Sequence, residues 1–119
     1  AIREAGRLLA ENGYVDSEYV DAMVEREKIA TTYLGVGVAI PHGTADAKSK
    51  VLHTGISVVQ FPDSVEFGAE QAQLVIGIAG VGDEHLEMLA RVSEALEDEE
   101  VLERLKTTTD INEILNVLK

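Results

Sequence analysis

Cysteine is missing altogether from the 119 residues. Disulfides and thiolate metal sites are thereby excluded, which suits a reducing, cytoplasmic environment. Basic residues are scarce: ten Lys and Arg stand against 22 Asp and Glu, a formal net charge of −12. Nucleic acid is not expected as a partner, because neutralising phosphates needs clustered Lys and Arg that this chain does not carry. Long hydrophobic runs are absent too. The longest, "LVIGIAGV" at residues 74–81, is far short of the roughly 20 residues that a membrane-spanning helix needs, so no direct membrane insertion is expected. No secretory signal is visible. Proline occurs only twice, and there is no low-complexity tract, internal repeat or interdomain linker. "GVGVAIPHG" lacks the Lys-Ser/Thr ending of a phosphate-binding loop, and no His-x-x-x-His pair or spaced carboxylate set accompanies the histidines. We expect no metal and no cofactor.

What is present reads as one globular domain over residues 1–119, with 45% hydrophobic and 27% charged residues. The chain opens directly inside a helical pattern, so we expect residues upstream of it. Ile2, Ala5, Leu8 and Leu9 recur at helical spacing up to Asn12-Gly13. Asp16 can cap a second helix that buries Tyr19, Val20, Met23 and Val24. "YLGVGVAIP" is extended and interrupted by glycines, with Ile40 kept extended by Pro41. Residues 52–61 are rich in β-branched side chains and predict a strand, and "PDSVEFGAEQAQ" reads as a polar connection. "LVIGIAG" is apolar on both faces, as a strand between helical layers is. Asp83 can cap a long helix with Leu86, Leu89, Ala90 and Leu96 inward. A short helix follows around "EEVLERL", and a last one starts at Asp110 with Glu113 placed for a capping box. The fold class this predicts is α/β: a mixed sheet covered by helices on both faces.

Two of the three histidines share a position type. His42 and His85 each lie shortly after an apolar strand candidate, at or near a loop-to-helix start. In open α/β sheets ligands collect beyond the carboxyl ends of strands. If the two strands run the same way, both imidazoles reach one edge of the sheet. A loop histidine is ordinarily solvated surface, yet Pro41 stiffens the chain before His42 and Gly43 removes a side chain after it. That leaves room for a group to approach the ring and the following backbone N–H groups. A neutral imidazole is a competent nucleophile near pH 7, and N–H groups would stabilise an anionic phosphoryl adduct. His85 lies near a helix N-terminus, where the dipole disfavours imidazolium; it could donate to an anion or be a polar first-turn residue. His53 is expected to be structural or exposed. Arg26, within "EREK", complements the C-terminal end of a helix dipole, and Lys48 and Lys50 are expected to be solvated.

The segment "YLGVGVAIPHGTADAKSKVL" closely resembles the Enzyme IIA domains of the bacterial phosphoenolpyruvate-dependent sugar phosphotransferase system, mannitol-fructose family. The likeness runs over residues 1–119, and "AIPHG" is its most specific motif. "YVDAMVEREK", "VLHTGISVVQFPDSVEFG", "LVIGIAGVGDEHLEML" and "ALEDEEVLERL" are similar to segments of the mannitol branch in the same order. The connection after Phe67-Gly68 is a few residues short, and the family's first N-terminal strand is missing. The resemblance implies a three-layer α/β/α sandwich with a sheet of the five-stranded type lacking that strand. It also implies that His42 is phosphorylated by the histidine-containing phosphocarrier protein and passes the group to a cysteine of Enzyme IIB. Arg26 would stabilise the phosphoryl group and His85 would orient or hydrogen-bond. The domain would be membrane-associated only through the Enzyme IIC transporter. Open alternatives are a fructose-specific Enzyme IIA, a regulatory relative (nitrogen-related or within a transcriptional regulator), and a binding domain with no phosphorylation.

Overall fold

The computed structural model describes residues 1–110 together with Asn112 and Ile114, apart from the side chains of Ala45, Asp46 and Lys48. Its elements are α1 (Ile2–Glu11), α2 (Glu18–Ile29), β1 (Tyr33–Gly35), β2 (Val38–Ala39), a 3-10 turn (Ala45–Lys50), β3 (Gly55–Phe67), β4 (Glu70–Ala79), α3 (Glu84–Ala95) and α4 (Glu99–Thr107). Among the described residues no helix is long and apolar enough to cross a membrane.

The helix boundaries follow local chemistry. Asp16 accepts the Glu18 N–H on its side chain at 3.0 Å and the Tyr19 N–H on its carbonyl at 2.9 Å, which starts α2. Asp98 does the same for α4, accepting from Glu100 N–H at 2.9 Å. The Asp110 carboxylate receives the Asn112 N–H at 2.9 Å. Glu113 and the rest of that last helix lie outside the described residues, as does the side chain of Lys48. Lys50 is paired with Glu18 at 2.7 Å on the surface.

Four strands form the sheet in the order β1-β2-β4-β3. The β1–β2 and β3–β4 pairs are antiparallel, while β2 and β4 are parallel, with Val38 opposite Leu74 and Ala39 opposite Val75. The sheet is therefore mixed, as predicted. Alternation along β2 and β4 sorts its two faces. Val38, Ile40, Leu74, Ile76 and Ile78 pack against Val92, Leu96, Leu102 and Leu105 of the α3–α4 layer. Ala39, Val75 and Ala72 meet Ala5 of α1, and Ala79 meets Leu9, Tyr19 and Met23. Each fully buried aliphatic side chain contributes about 1.5–3 kcal/mol relative to exposure. The centre of the sheet is thus covered on both faces.

Two expectations are corrected. "PDSVEFGAEQAQ" is a hairpin extension of the sheet: β3 runs through it to Phe67, and Val65, Glu66 and Phe67 pair with Ala72, Gln71 and Glu70. The register shifts between Gln60 and Val65. Pro62 falls in that irregular stretch, where no ladder N–H is required of it. Phe67 closes the hairpin from beneath, at 4% exposure. In α3, Leu86 is 58% exposed and Ala90 also faces solvent, whereas Val92 and Leu96 are buried with Met88, Leu89 and Ala95 beside them. The helix is rotated so that its inward stripe runs through His85, Met88, Val92 and Leu96.

Candidate functional site

The parallel pairing of β2 and β4 brings their carboxyl ends to one edge, and both imidazoles arrive there. An open cavity of about 190 Å³ at that edge is lined by Arg26, His42, Gly43, Gly80 and His85, with Tyr19 at its wall. All three predicted site residues share it. His53 does not line it. That ring is exposed and packs edge-on against Tyr14, with centroids 6.3 Å apart.

His42 continues the β2–β4 ladder by a bridge to Ile78, and the Pro41 carbonyl accepts the Ile78 N–H at 2.9 Å. The ring itself is oriented by its own strand: Nδ1–H donates to the Ile40 carbonyl at 3.1 Å. With the proton held on Nδ1, Nε2 carries the free lone pair. Burial pushes the His42 pKa below its ordinary value. The hydrogen bond to Ile40 works against that shift, Arg26 and His85 add to it, and Glu27 opposes it. The ring is neutral near pH 7, the form a nucleophile requires.

Arg26 lies in the last turn of α2 and donates from Nη1 to the Ala30 carbonyl at 2.7 Å, capping its own helix. Its neighbours are engaged elsewhere: Glu25 pairs with Lys28 at 3.0 Å, and Glu27 accepts the N–H and hydroxyl of Thr32 at 2.8 and 2.6 Å. The helix-end role and the cavity position are thus compatible, because the cap fixes the guanidinium plane and leaves its other N–H groups for an anion. His85 follows the 80–83 loop in the first turn of α3. Its Nδ1–H donates to the Gly82 carbonyl at 3.3 Å. A Cβ at Gly80 would overlap the His85 backbone nitrogen and Cα and lie 2.7 Å from its Cβ. His85 is therefore seated directly on Gly80.

Gly43 corrects the sequence reading. A Cβ there would come within 2.5 Å of the Tyr19 ring, so the missing side chain makes room for Tyr19 and not for an incoming group. The Gly43 N–H donates to the Tyr19 hydroxyl at 2.9 Å. Tyr19 had been legible only as a core residue of α2. The available signal was its type: a buried tyrosine needs a partner for its hydroxyl. Among the described residues no group of three His, Cys, Asp or Glu side chains could hold a metal ion.

The depressed His42 pKa has a consequence for stability. Between the folded pKa and the unfolded value near 6.5, the unfolded chain binds more protons. Stability from the neutral ring is therefore fully present above pH 6.5 and is lost as pH falls through the folded pKa. Denaturant titrations at pH 7.5 and 5 should show His42→Gln losing less stability on acidification than the wild type. Equal losses would mean that His42 is not held neutral.

The pattern of the family described as "Phosphoenolpyruvate-dependent sugar phosphotransferase system, EIIA 2" matches residues 1–119. The chain belongs to this family. It is 50% identical over 121 residues to the PTS system mannitol-specific EIICBA component of Escherichia coli, covering 99% of this chain but 19% of that protein. It is 48% identical to the mannitol-specific phosphotransferase enzyme IIA component of Halalkalibacterium halodurans, over 99% of this chain and 81% of that one. Among solved structures, the complex of enzyme IIA mannitol with phosphorylated enzyme IIB mannitol from E. coli superimposes with a TM-score of 0.90 at 48% identity, covering 98% of this chain and 83% of that one. The chain thus spans about a fifth of the multidomain relatives and most of the free-standing ones. The resemblance read from "AIPHG" and its flanking segments is borne out, including the mannitol branch. As an EIIA 2 member the chain is a phosphotransfer component.

Proposed function

We propose that this domain relays a phosphoryl group through His42 in mannitol uptake, from the histidine-containing phosphocarrier protein to a cysteine of Enzyme IIB. The observation that carries this reading is the Nδ1–H bond to Ile40 within a cavity shared with Arg26 and His85. It presents Nε2 as the nucleophile. In the first half-reaction the Nε2 lone pair attacks phosphorus. An N–P bond forms as the donor histidine's N–P bond breaks and its electron pair returns to the donor ring. In the second, the Enzyme IIB thiolate attacks phosphorus, an S–P bond forms, and the pair returns to Nε2. His42 needs no proton exchange in either half.

Phosphoryl transfer depends on positioning and charge stabilisation. Arg26 supplies a planar fork, held by Ala30, for two phosphoryl oxygens. Gly43 N–H is already committed to Tyr19, so the charge falls to Arg26 and to His85. The domain works at the cytoplasmic face, tied to the membrane through Enzyme IIC. The 46–50% identity to mannitol proteins supports mannitol over a fructose-specific or regulatory role.

The test is incubation with phosphoenolpyruvate, Enzyme I and the phosphocarrier protein, followed by addition of mannitol Enzyme IIB. Gain and then loss of one phosphoryl group by intact mass is expected. A domain that is phosphorylated but never discharged by Enzyme IIB would instead be a regulatory relative.

The supporting residues should separate by half-reaction. Arg26→Lys keeps the charge but loses the fork. Since a charge-assisted hydrogen bond contributes about 1.5–3 kcal/mol, transfer should slow by roughly ten- to a hundredfold. His85→Ala should still accept phosphate but deliver it to Enzyme IIB more slowly. Single-turnover kinetics of each half-reaction checks both. A wild-type rate for Arg26→Lys would leave Arg26 with its helix-capping role alone.

A further inference from the structure

Tyr19 is buried at 4% exposure in α2, yet its hydroxyl reaches the backbone on which His42 is mounted. That hydroxyl donates to the Ile78 carbonyl at 2.9 Å and accepts the Gly43 N–H at 2.9 Å. The Ile78 N–H donates to the Pro41 carbonyl at 2.9 Å. Both backbone groups of Ile78 therefore hold the residues flanking His42, Pro41 directly and Gly43 through the phenol. In a regular parallel ladder the Gly43 N–H would bond the Ile78 carbonyl itself. Here a phenolic oxygen is inserted into that rung. The insertion is possible only because residue 43 has no Cβ, which would lie 2.5 Å from the Tyr19 ring.

We propose that Tyr19 is a positioning residue for phosphoryl transfer, setting the His42 backbone at the rim of the cavity through this phenol-bridged rung. The inference rests on the reading of His42 as the phosphoryl acceptor. It adds the device that holds that acceptor on its C-terminal side, as Ile40 orients the ring on the other. Without the phenol the strand end has two choices: to close the direct rung and draw His42 inward, or to leave Gly43 N–H free. Either displaces the nucleophile, and displacements of about 1 Å cost up to a hundredfold in oriented reactions. Burial also raises the Tyr19 pKa, so the hydroxyl keeps its proton and stays a donor to Ile78.

Tyr19→Phe removes one oxygen and keeps the ring. The turnover number for phosphorylation by the phosphocarrier protein should fall roughly tenfold with KM for that protein unchanged, because Tyr19 is buried. Where the variant leaves the Gly43 N–H free, its amide exchange should accelerate at least tenfold; where the direct rung closes, the amide stays protected while turnover still falls. A wild-type turnover number in the variant, or a raised KM with unchanged turnover, would overturn the proposal. So would a Gly43 amide that already exchanges at a free-loop rate in the wild-type protein, a result that decides the matter even if the variant does not fold. Failure of the underlying reading looks different: the wild-type protein itself would take no phosphate on His42.

Discussion

His42→Ala should take up no phosphate at all, while its melting transition stays within a few degrees of the wild type. The side chain is half-buried and donates from Nδ1 to the Ile40 carbonyl at 3.1 Å. Losing it costs about 1 kcal/mol of stability, and the cavity is open enough for water to replace the ring's N–H. Loss of function should be complete because, among the described residues, no other group combines a free Nε2 with this placement. His85 shares the cavity but is mounted on α3, with its backbone against Gly80. In the wild-type protein the phosphate should be released in acid and retained in base, as a phosphoramidate is. A phosphorylated mass in His42→Ala would remove His42 from the mechanism.

Gly80→Ala should be among the most damaging single-methyl additions in the chain. The new Cβ would overlap backbone atoms of His85, which cannot rotate away as a side chain can. Overpacking in tight sites costs about 1–3 kcal/mol and occasionally more, and this clash belongs at the upper end. The loop has little room to yield. Val81 N–H donates to the Thr54 hydroxyl at 3.0 Å, Thr54 also bonds Glu84, and Glu84 N–H returns to the Val81 carbonyl at 3.1 Å. Relief must come from displacing the start of α3, and with it His85. A fall in melting temperature of roughly 10 °C is expected, together with slowed delivery to Enzyme IIB. Gly43→Ala should be milder, since the atoms it meets belong to the Tyr19 ring and not to backbone. Calorimetry of the two variants checks the order; equal and small effects would mean that the 80–83 loop is looser than its hydrogen bonds imply.

Determinants local in the chain were legible in the sequence, and those set by distant partners were not. "AIPHG" is local, and its strand end, stiff proline and loop histidine were readable without any partner. That His85 belongs beside His42 needed one further fact, the parallel pairing of β2 with β4, which two apolar strands cannot reveal. Arg26 was readable as a last-turn cation complementing the α2 dipole, and it sits in that turn; its bond to Ala30 and its second position in the cavity depend on where α2 ends relative to β2. Leu86 and Ala90 fit a helical stripe equally well before the rotation of α3 is known. His85 on Gly80 sets that rotation, through a contact invisible to periodicity. The segment 62–73 looked like a loop because its polar residues outnumber its apolar ones. Val65 and Phe67 nonetheless alternate correctly to pair with β4. Tyr19 was hidden for the opposite reason: it is a good core residue, and its hydroxyl acts 24 and 59 residues away.

Nitrogen–phosphorus coupling reads directly whether a phosphoryl group is carried on Nε2 of His42. The ¹⁵N-histidine-labelled protein would be phosphorylated by phosphoenolpyruvate, Enzyme I and the phosphocarrier protein and examined by NMR. A coupling to Nε2 of His42, with Nδ1 still protonated, is the expected result. Coupling to Nδ1, or to either nitrogen of His85 or His53, would contradict it.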